Sequence, residues 1–291
     1  MRPFWKFAKP HGPGFGISKS FYLSVLAGSP VLPPVTAIVN PKGANRALEG
    51  FGVPLVAGKD KAILNSPMLR GTYALASKDR KTVVRLMVMS AEEAGFSPDA
   101  IATSPAAALL SPELLIRLRS TWHLLQLNFE SHDPDVYPAL DFILGIATRL
   151  GEATEAIIAD PVAERYLLPD ELIMRPRTDP KVDAREHVFV HRRPDGMNWH
   201  ILTKGLAKFV QPELELFGVE TQDQDEAARF LMSASQGVLE GYLVQSGSEV
   251  GPFEAREGGL NKAVWGNNAF VMELLPATGK SVSELLRMPF E

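Results

Sequence analysis

Four side chains that bind metals or transfer protons lie close together near the middle of the sequence. They are His123, His132, Asp133 and Asp135, within and after the segment TWHLLQLNFES. Imidazole and carboxylate groups at the end of a strand are suited to metal ligation or acid/base catalysis. A structural role also fits, because Asp133 before Pro134 is typical of a helix N-cap and His123 aligns with Leu125 on an interior face. We favour the structural interpretation and keep a hydrolase or metal-assisted enzyme as the alternative.

The segment HVFVH contains a second pair of imidazoles, His187 and His191, four residues apart. On a helix this spacing would direct both rings at one metal ion. The alternation of apolar residues instead predicts a strand, on which the two residues are about 13 Å apart at roughly 3.3 Å per residue. They cannot share a zinc ion in that geometry. His200 is predicted to lie near one of them on a solvated strand face, as a pair that titrates at about pH 6 to 7.

Several familiar catalytic signatures are missing from the sequence. GPGFGISKS (residues 12–20) ends in Lys19 and Ser20 like a phosphate loop, but Pro13 and Ser18 occupy positions where that loop has glycine. There is no G-x-S-x-G, no H-E-x-x-H and no strand-flanked G-x-G-x-x-G motif. The absence of cysteine excludes disulfides and thiolate ligands. We therefore predict no cofactor and no metal.

Charge is distributed unevenly along the chain. No acidic residue precedes Glu49, and residues 1–20 form a basic arm interleaved with Phe4, Trp5, Phe7 and Phe15. Such an arm could attach to anionic lipid or dock its aromatic rings on the protein body, and we favour docking. Residues 186–291 carry 9 basic and 15 acidic groups, so nucleic acid is disfavoured there. Prolines interrupt the longest apolar stretch, near residues 21–39, so no transmembrane segment is predicted.

The elements that position these residues form an α+β fold of two mixed modules. The linker is predicted at residues 174–185, between modules 21–173 and 186–291, because MRPRTDPKVDARE has two prolines and no apolar periodicity. The first module is predicted to contain strands at 83–89, 122–129 and 155–159. Helices are predicted after Ser111 and at 134–150, giving at least one crossover between strands. A duplicated module is compatible with this rhythm.

The second module is predicted to begin with a hairpin through RRPDG, followed by a turn at Gly205 and a strand led by Pro212. In PELEL, alternation predicts Leu214 and Leu216 facing the core and both glutamates facing water. A helix with a capping box at Thr221 and Gln224, or at Asp223 and Glu226, should follow. Residues 244–268 are predicted to form a long polar loop, and 269–275 a final strand.

One stretch of this module resembles an uncharacterised family. At Thr203, Lys204, Gly205 and Leu206, with Phe209, Pro212, Glu213 and Leu214, the chain resembles bacterial proteins that share a domain of unknown function. The resemblance extends at the level of pattern over about residues 70–275, including TWHLLQLNFES, and does not reach the N-terminal arm. It implies a bacterial, cytoplasmic α+β protein and supplies no catalytic residue.

The leading hypothesis is a non-catalytic bacterial protein that binds a macromolecular partner, in competition or stress. The contacts are expected from the long loop and the exposed hairpin face, because an aromatic anchor on a loop is typical of an interface. The expected partner-binding residues are Trp199, His200, Trp265, Asn267 and Asn268. Attachment to a membrane through the basic arm is a third hypothesis. No pattern specifies an oligomeric state.

Overall fold

The computed structural model describes residues 21–39, 52–55, 62–103, 110–131, 136–172, 182–266, 269–277 and 279–288. The chain divides into two compact units, whose described parts are residues 21–172 and 182–288. Each unit combines one sheet with helices, which confirms the predicted α+β class with two sheet modules. The basic arm of residues 1–20 and most of the predicted linker lie outside the described residues.

The N-terminal unit contains a seven-stranded sheet with the order β2-β3-β4-β5-β1-β6-β7, in which neighbouring strands are antiparallel. Strands β5 and β6 flank β1 and are both antiparallel to it, so they run parallel to each other. The chain therefore makes the predicted crossover between them through a helix. The strands are β1 (Tyr22–Ala27), β2 (Gly52–Leu55), β3 (Gly71–Ser77), β4 (Thr82–Ser90), β5 (His123–Ser131), β6 (Ile157–Asp160) and β7 (Arg165–Leu167).

The helices of this unit follow the local signals in the sequence. Ser111 caps its helix by accepting a hydrogen bond from the Leu114 amide at 3.3 Å, as predicted. The predicted helix at 134–150 is described from Val136 and runs on to Thr154, with its apolar stripe buried. The next strand consequently begins at Ile157 instead of Glu155. The helices are α1 (Val35–Val39), α2 (Ala62–Asn65), α3 (Pro98–Ala102), α4 (Pro112–Arg119) and α5 (Val136–Thr154).

Within the described part of the chain, no helix combines the length and the apolar composition needed to cross a bilayer. The apolar stretch near residues 21–39 forms β1 and α1, joined by an irregular connection that includes the prolines.

The C-terminal unit contains a six-stranded sheet with the order β11-β12-β13-β10-β9-β8. The central pair, β10 and β13, is parallel, and the other pairs are antiparallel. The strands are β8 (Phe189–Asp195), β9 (Asn198–Lys204), β10 (Glu213–Val219), β11 (Glu249–Val250), β12 (Phe253–Glu257) and β13 (Val271–Pro276). The helices are α6 (Ala184–His187), α7 (Gln224–Leu239), α8 (Lys262–Trp265) and α9 (Val282–Leu286).

The predicted hairpin is the pair β8 and β9, closed where Asp195 pairs with Asn198 and Gly196 adopts φ +61°. The strand does not extend over all of HVFVH, however. His187 is the last residue of the short helix α6, which Asp183 caps at its start by accepting a hydrogen bond from the Arg185 amide at 3.0 Å. Pro212 precedes β10, as predicted.

Two further predictions for this unit were wrong. The capping box predicted for α7, at Thr221 and Gln224 or at Asp223 and Glu226, is not formed. Asp223 is the N-cap but makes no side-chain cap, because its carboxylate accepts hydrogen bonds from Arg287 Nε at 2.9 Å and Nη2 at 2.5 Å. The region 244–268 is not a continuous loop, since β11, β12 and α8 lie within it. Strand β12 pairs with β13 from Phe253 to Glu257 and so extends the sheet.

Candidate functional site

A buried polar cluster surrounds Glu215 on β10. Glu215 Oε2 accepts a hydrogen bond from His200 Nε2 at 2.9 Å and another from Trp265 Nε1 at 2.7 Å. Its Oε1 accepts the Gly259 amide at 2.6 Å. Glu215 is 1% exposed and His200 3% exposed, so both lie in the interior. Three donors thus satisfy the carboxylate, as a buried charge requires.

The cluster lies on the face of the sheet that α7 does not cover. Phe253 of β12 contacts Phe230 of α7, with ring centroids 5.0 Å apart, which places Phe253 and Ala255 on the helix side. Arg256 therefore points to the other side, and so does Glu273, which pairs with it. Glu215 pairs directly with Glu273 and shares that face. The alternation in PELEL predicted that this face is polar and meets water. The face is polar, but the carboxylate of Glu215 is buried.

Residues 259–266, which we call the covering segment, bury this carboxylate. Gly258 precedes the segment, and a Cβ there would lie 2.5 Å from Glu215 Oε1 and 2.7 Å from the Glu273 amide, so only glycine permits the approach. Lys204 Nζ donates to the Val264 carbonyl at 3.1 Å and lies 4.3 Å from the centroid of the Trp265 ring. Both polar and cation–π contacts hold the segment on the sheet.

Trp265 is not the exposed anchor that the sequence suggested. Its side chain is 7% exposed and packs with Leu202 and Val271 in a small apolar cluster. Trp265 therefore serves as an internal contact of the covering segment. Asn267 and Asn268 lie outside the described residues. Trp199, on β9, is half-buried and its Nε1 donates to Thr221 Oγ1 at 3.2 Å.

A second buried carboxylate, Glu213, organises the turn that precedes it. Glu213 Oε1 accepts the amides of Gly205 at 2.7 Å and Ala207 at 3.0 Å, while Oε2 accepts the Thr203 hydroxyl at 2.8 Å. Gly205 adopts φ +126°, and a Cβ there would collide with the His187 carbonyl oxygen. The residues of the resembled pattern, Thr203, Gly205 and Glu213, thus form one hydrogen-bonded unit.

Burial and hydrogen bonding shift the pKa values of the carboxyl groups on this face. Burial raises the pKa of Glu213, and the hydrogen bonds that its carboxylate accepts offset this only in part. Burial alone would also raise the pKa of Glu215, but the bonds from His200, Gly259 and Trp265 lower it overall. Burial, together with repulsion from Glu215, raises the pKa of Glu273. Two neighbouring carboxyl groups on one strand are therefore shifted in opposite directions.

The imidazole groups do not occupy the solvated face predicted for them. His187, His191 and His200 are all buried. His187 packs edge-on against Phe209, and His200 stacks on Phe217 with ring centroids 4.0 Å apart and planes 11° from parallel. His200 pairs with Glu215 instead of a second histidine. Among the described residues, no three histidine, aspartate or glutamate side chains are arranged to hold a metal ion.

Of the predicted cluster His123, His132, Asp133 and Asp135, His123 lies within the described residues, on β5. His123 is the first residue of the strand and Ser131 the last, about 26 Å away at roughly 3.3 Å per residue. His123 Nδ1 lies 3.3 Å from the Ser29 carbonyl oxygen, which gives this ring a structural partner. His132, Asp133 and Asp135 follow the far end of β5 and lie outside the described residues. The length of β5 therefore lies between His123 and Ser131, the residue that precedes His132 in the sequence.

Three apolar side chains are exposed at the end of the C-terminal sheet where β10 and β13 begin. Val210, Leu260 and Phe270 are 63%, 81% and 56% exposed. The Phe270 carbonyl accepts the Glu213 amide at 3.0 Å, and the Gly258 amide donates to Val271 at 3.0 Å, so all three side chains arise where β10 and β13 begin. We call these three residues the apolar end. Val210 also has φ +59°, which is a strained conformation for a β-branched residue.

The chain matches no protein-family model, and no similar curated protein or solved structure was found. The chemistry of this site is therefore the basis for a function.

Sequence patterns contained signals for some, but not all, of the site residues that were not predicted. Glu213 was part of the resembled pattern, but its burial was not foreseen. The Gly258–Gly259 pair was a usable signal, because adjacent glycines in a connection often mark a close backbone approach. The exposed apolar residues carry no sequence signal, since Leu260 and Phe270 lie beside residues of both polar and apolar character.

Proposed function

We propose that this protein is a non-catalytic bacterial protein that binds a protein partner through the apolar end. The observation that carries the proposal is the exposure of Val210, Leu260 and Phe270 at one end of one sheet. An exposed apolar patch on a folded surface is typical of an interaction site, and we propose that these three side chains form one. Val210 strengthens the proposal, because exposing a valine in a left-handed conformation does not stabilise the isolated fold.

The charge of this region favours a basic partner. Residues 186–291 carry 9 basic and 15 acidic groups, a net charge of 9 − 15 = −6. A negative field repels phosphate groups and anionic lipid, and it accelerates the approach of a positively charged protein. We therefore propose a basic protein or peptide that places an apolar side chain against the apolar end. A cytoplasmic location and the resemblance to an uncharacterised bacterial family belong to the same proposal.

The polar cluster supports binding better than catalysis. A carboxylate that orients an imidazole is also found in hydrolases, where the imidazole activates a neighbouring nucleophile. Here Glu215 is saturated by His200, Trp265 and Gly259, and the covering segment closes over it. These contacts fix Leu260 at the surface, which is a supporting role for an interface.

The test compares apolar residues at the two ends of the same sheet. Leu260→Asp and Phe270→Asp are expected to weaken binding of a basic partner by about tenfold or more, as for interface hot spots. Met197→Asp is the matched control, because Met197 is 96% exposed in the hairpin turn at the opposite end. Candidate partners from quantitative affinity capture are purified, and their dissociation constants are measured by calorimetry at low and high salt.

The expected result is saturable binding that Leu260→Asp and Phe270→Asp weaken, that Met197→Asp preserves, and that high salt weakens. Equal affinity for all three variants would remove the apolar end as the binding site. Circular dichroism and denaturant unfolding confirm that each variant is folded, which exposed positions should permit.

A further inference from the structure

The covering segment has the construction of a movable element. Gly259 adopts φ +74° at its start and Gly266 φ +71° at its end, so a glycine lies at each boundary. Between them, residues 260–263 are exposed, and Trp265 is the buried residue of helix α8. Val264 and Trp265 pack in the apolar cluster with Leu202 and Val271. A short segment anchored at two adjacent residues between two glycines can be displaced as a unit.

The polar contacts that hold the segment converge on two side chains, Glu215 and Lys204. Glu215 accepts the Gly259 amide and Trp265 Nε1, at 2.6 and 2.7 Å. Lys204 binds the Val264 carbonyl and lies over the Trp265 ring. One carboxylate therefore fastens both ends of the segment, and removal of a single acceptor should loosen both.

Solvation lowers the free energy of opening. Closure keeps Glu215 at 1% exposure, His200 at 3% and Lys204 at 9%, and groups of this kind are strongly hydrated when exposed. Opening returns water to them, whereas separation of an equal apolar area gains no such hydration. The same contacts that close the segment thus leave an open state of moderate free energy.

We propose that the covering segment is a hinged strap that opens as a unit, about Gly259 and Gly266, while the sheet beneath it remains folded. Opening would hydrate Glu215 and His200 and displace Leu260 from the apolar end. The consequence for the partner rests on the proposed function, because closure would then be required for binding. The opening itself concerns the isolated protein.

Amide hydrogen exchange followed by mass spectrometry tests the strap in the full chain without a partner. Peptides that cover residues 259–266 are expected to exchange about tenfold or more faster than those that cover β9 and β10. Glu215→Gln should accelerate the strap by about a further tenfold, because an amide group cannot accept at both of the original oxygens. Exchange in β9 away from His200 should change little.

Glu213→Gln is the matched control, because it alters a buried carboxylate two residues away on the same strand. Since Glu213 binds the amides of Gly205 and Ala207, this variant should accelerate residues 205–209 and leave the strap unchanged. Trp265→Phe keeps an aromatic ring but removes the Nε1 donor, and should accelerate the strap by a few fold. This milder variant tests the hydrogen bond between Trp265 and Glu215 even if Glu215→Gln is unstable.

Two results would overturn the strap. The first is a wild-type strap that exchanges at the rate of β9 and β10, which would make it part of the cooperative core. The second is equal acceleration of residues 259–266 by Glu215→Gln and Glu213→Gln. Neither outcome bears on the apolar end, whose test is the calorimetry of Leu260 and Phe270 variants; a strap that opens without any saturable partner would refute the proposed function alone.

Discussion

Strands β5 and β10 are both interior strands of their sheets, and both alternate polar and apolar residues. In β5, Leu125, Leu127 and Phe129 are buried, while Gln126 and Asn128 are half-buried and hydrogen-bond to each other at 3.2 Å. In β10, by contrast, Glu213 and Glu215 are buried as completely as Leu214 and Leu216. The same alternation therefore produces a half-solvated face in one unit and a buried charged face in the other.

The difference lies in what covers the polar face. The donors to Glu215 include the Gly259 amide, 44 residues away in sequence, and Trp265 Nε1, 50 residues away. Glu213 takes two donors from the turn immediately before its strand, the amides of Gly205 and Ala207, and a third from Thr203 on the adjacent strand β9. A carboxylate is tolerated in the interior only where such donors are already in place. Strand alternation specifies which residues share a face, and the covering element specifies whether that face meets water.

The largest effect is expected from removing one fully buried side chain of each strand. Glu215→Ala should lower the free energy of unfolding by about 3–5 kcal/mol, because it leaves an imidazole, an indole N–H and an amide without their acceptor. Leu127→Ala should lower it by about 2–5 kcal/mol through a cavity. Urea unfolding followed by circular dichroism measures both.

The two variants should differ in how far they can be rescued. A second substitution that removes a stranded donor, such as His200→Leu, should recover part of the loss in Glu215→Ala, since paired replacement of buried polar partners is close to neutral. No polar partner exists for Leu127. A loss below about 1 kcal/mol in Glu215→Ala would contradict a structural role for the buried carboxylate.

Local features of the fold were predictable from the sequence. Alternation over TWHLLQLNFES predicted β5, and Ser111 followed by proline predicted the start of α4. Glycine after aspartate predicted the hairpin turn, where Gly196 adopts a positive φ. Each of these signals acts within a few residues. The physical cause of each element therefore lies in its own short segment of sequence.

The candidate site was not predictable, because its causes are distant in sequence. PELEL was expected to face water on one side. Nothing in those five residues indicates that Gly259, 44 residues after Glu215, covers its carboxylate. Trp265 was expected to contact a partner because residues 244–268 were predicted to form a polar loop. FEARE, which forms β12 within that region, is short and charged and lacks the usual strand signal. Because β12 was not recognised, residues 244–268 were predicted to form one loop. No contact within the protein was therefore predicted for the indole of Trp265.

A smaller effect should distinguish the two carboxylates of β10 by pH. The folded-state pKa of Glu213 is raised from the ordinary 4.5 by burial, so its contribution to stability is present below that value and is lost as pH rises through the folded pKa. The pKa of Glu215 is lowered by its hydrogen bonds despite burial, so its contribution is present above 4.5 and is lost as pH falls through the folded pKa. Carbon-detected NMR of the side-chain carboxyls should give midpoints on opposite sides of 4.5.

The Gln variants assign these signals and test the sign. Glu215→Gln should flatten the loss of stability toward acid, and Glu213→Gln should flatten the loss as pH rises above 4.5. A midpoint of Glu215 above that of Glu213 would reverse the comparison and would mean that the three donors do not dominate its environment.

The smallest effect is expected at an exposed ion pair on the solvated side of the comparison. Arg85 Nη2 and Glu130 Oε1, on β4 and β5, are 3.1 Å apart, with side chains 61% and 66% exposed. A double-mutant cycle with alanine should give a coupling of about 0.2–1 kcal/mol, because water screens both charges and ordering two long side chains is unfavourable. The coupling should shrink further in about 1 M salt, where the Debye length is roughly 3 Å. The cycle for His200 and Glu215 should give a larger, salt-insensitive coupling, since neither group meets solvent. If the two cycles gave the same value and the same salt response, the buried face of β10 would be as hydrated as the open face of β5, and the covering segment would not exclude water.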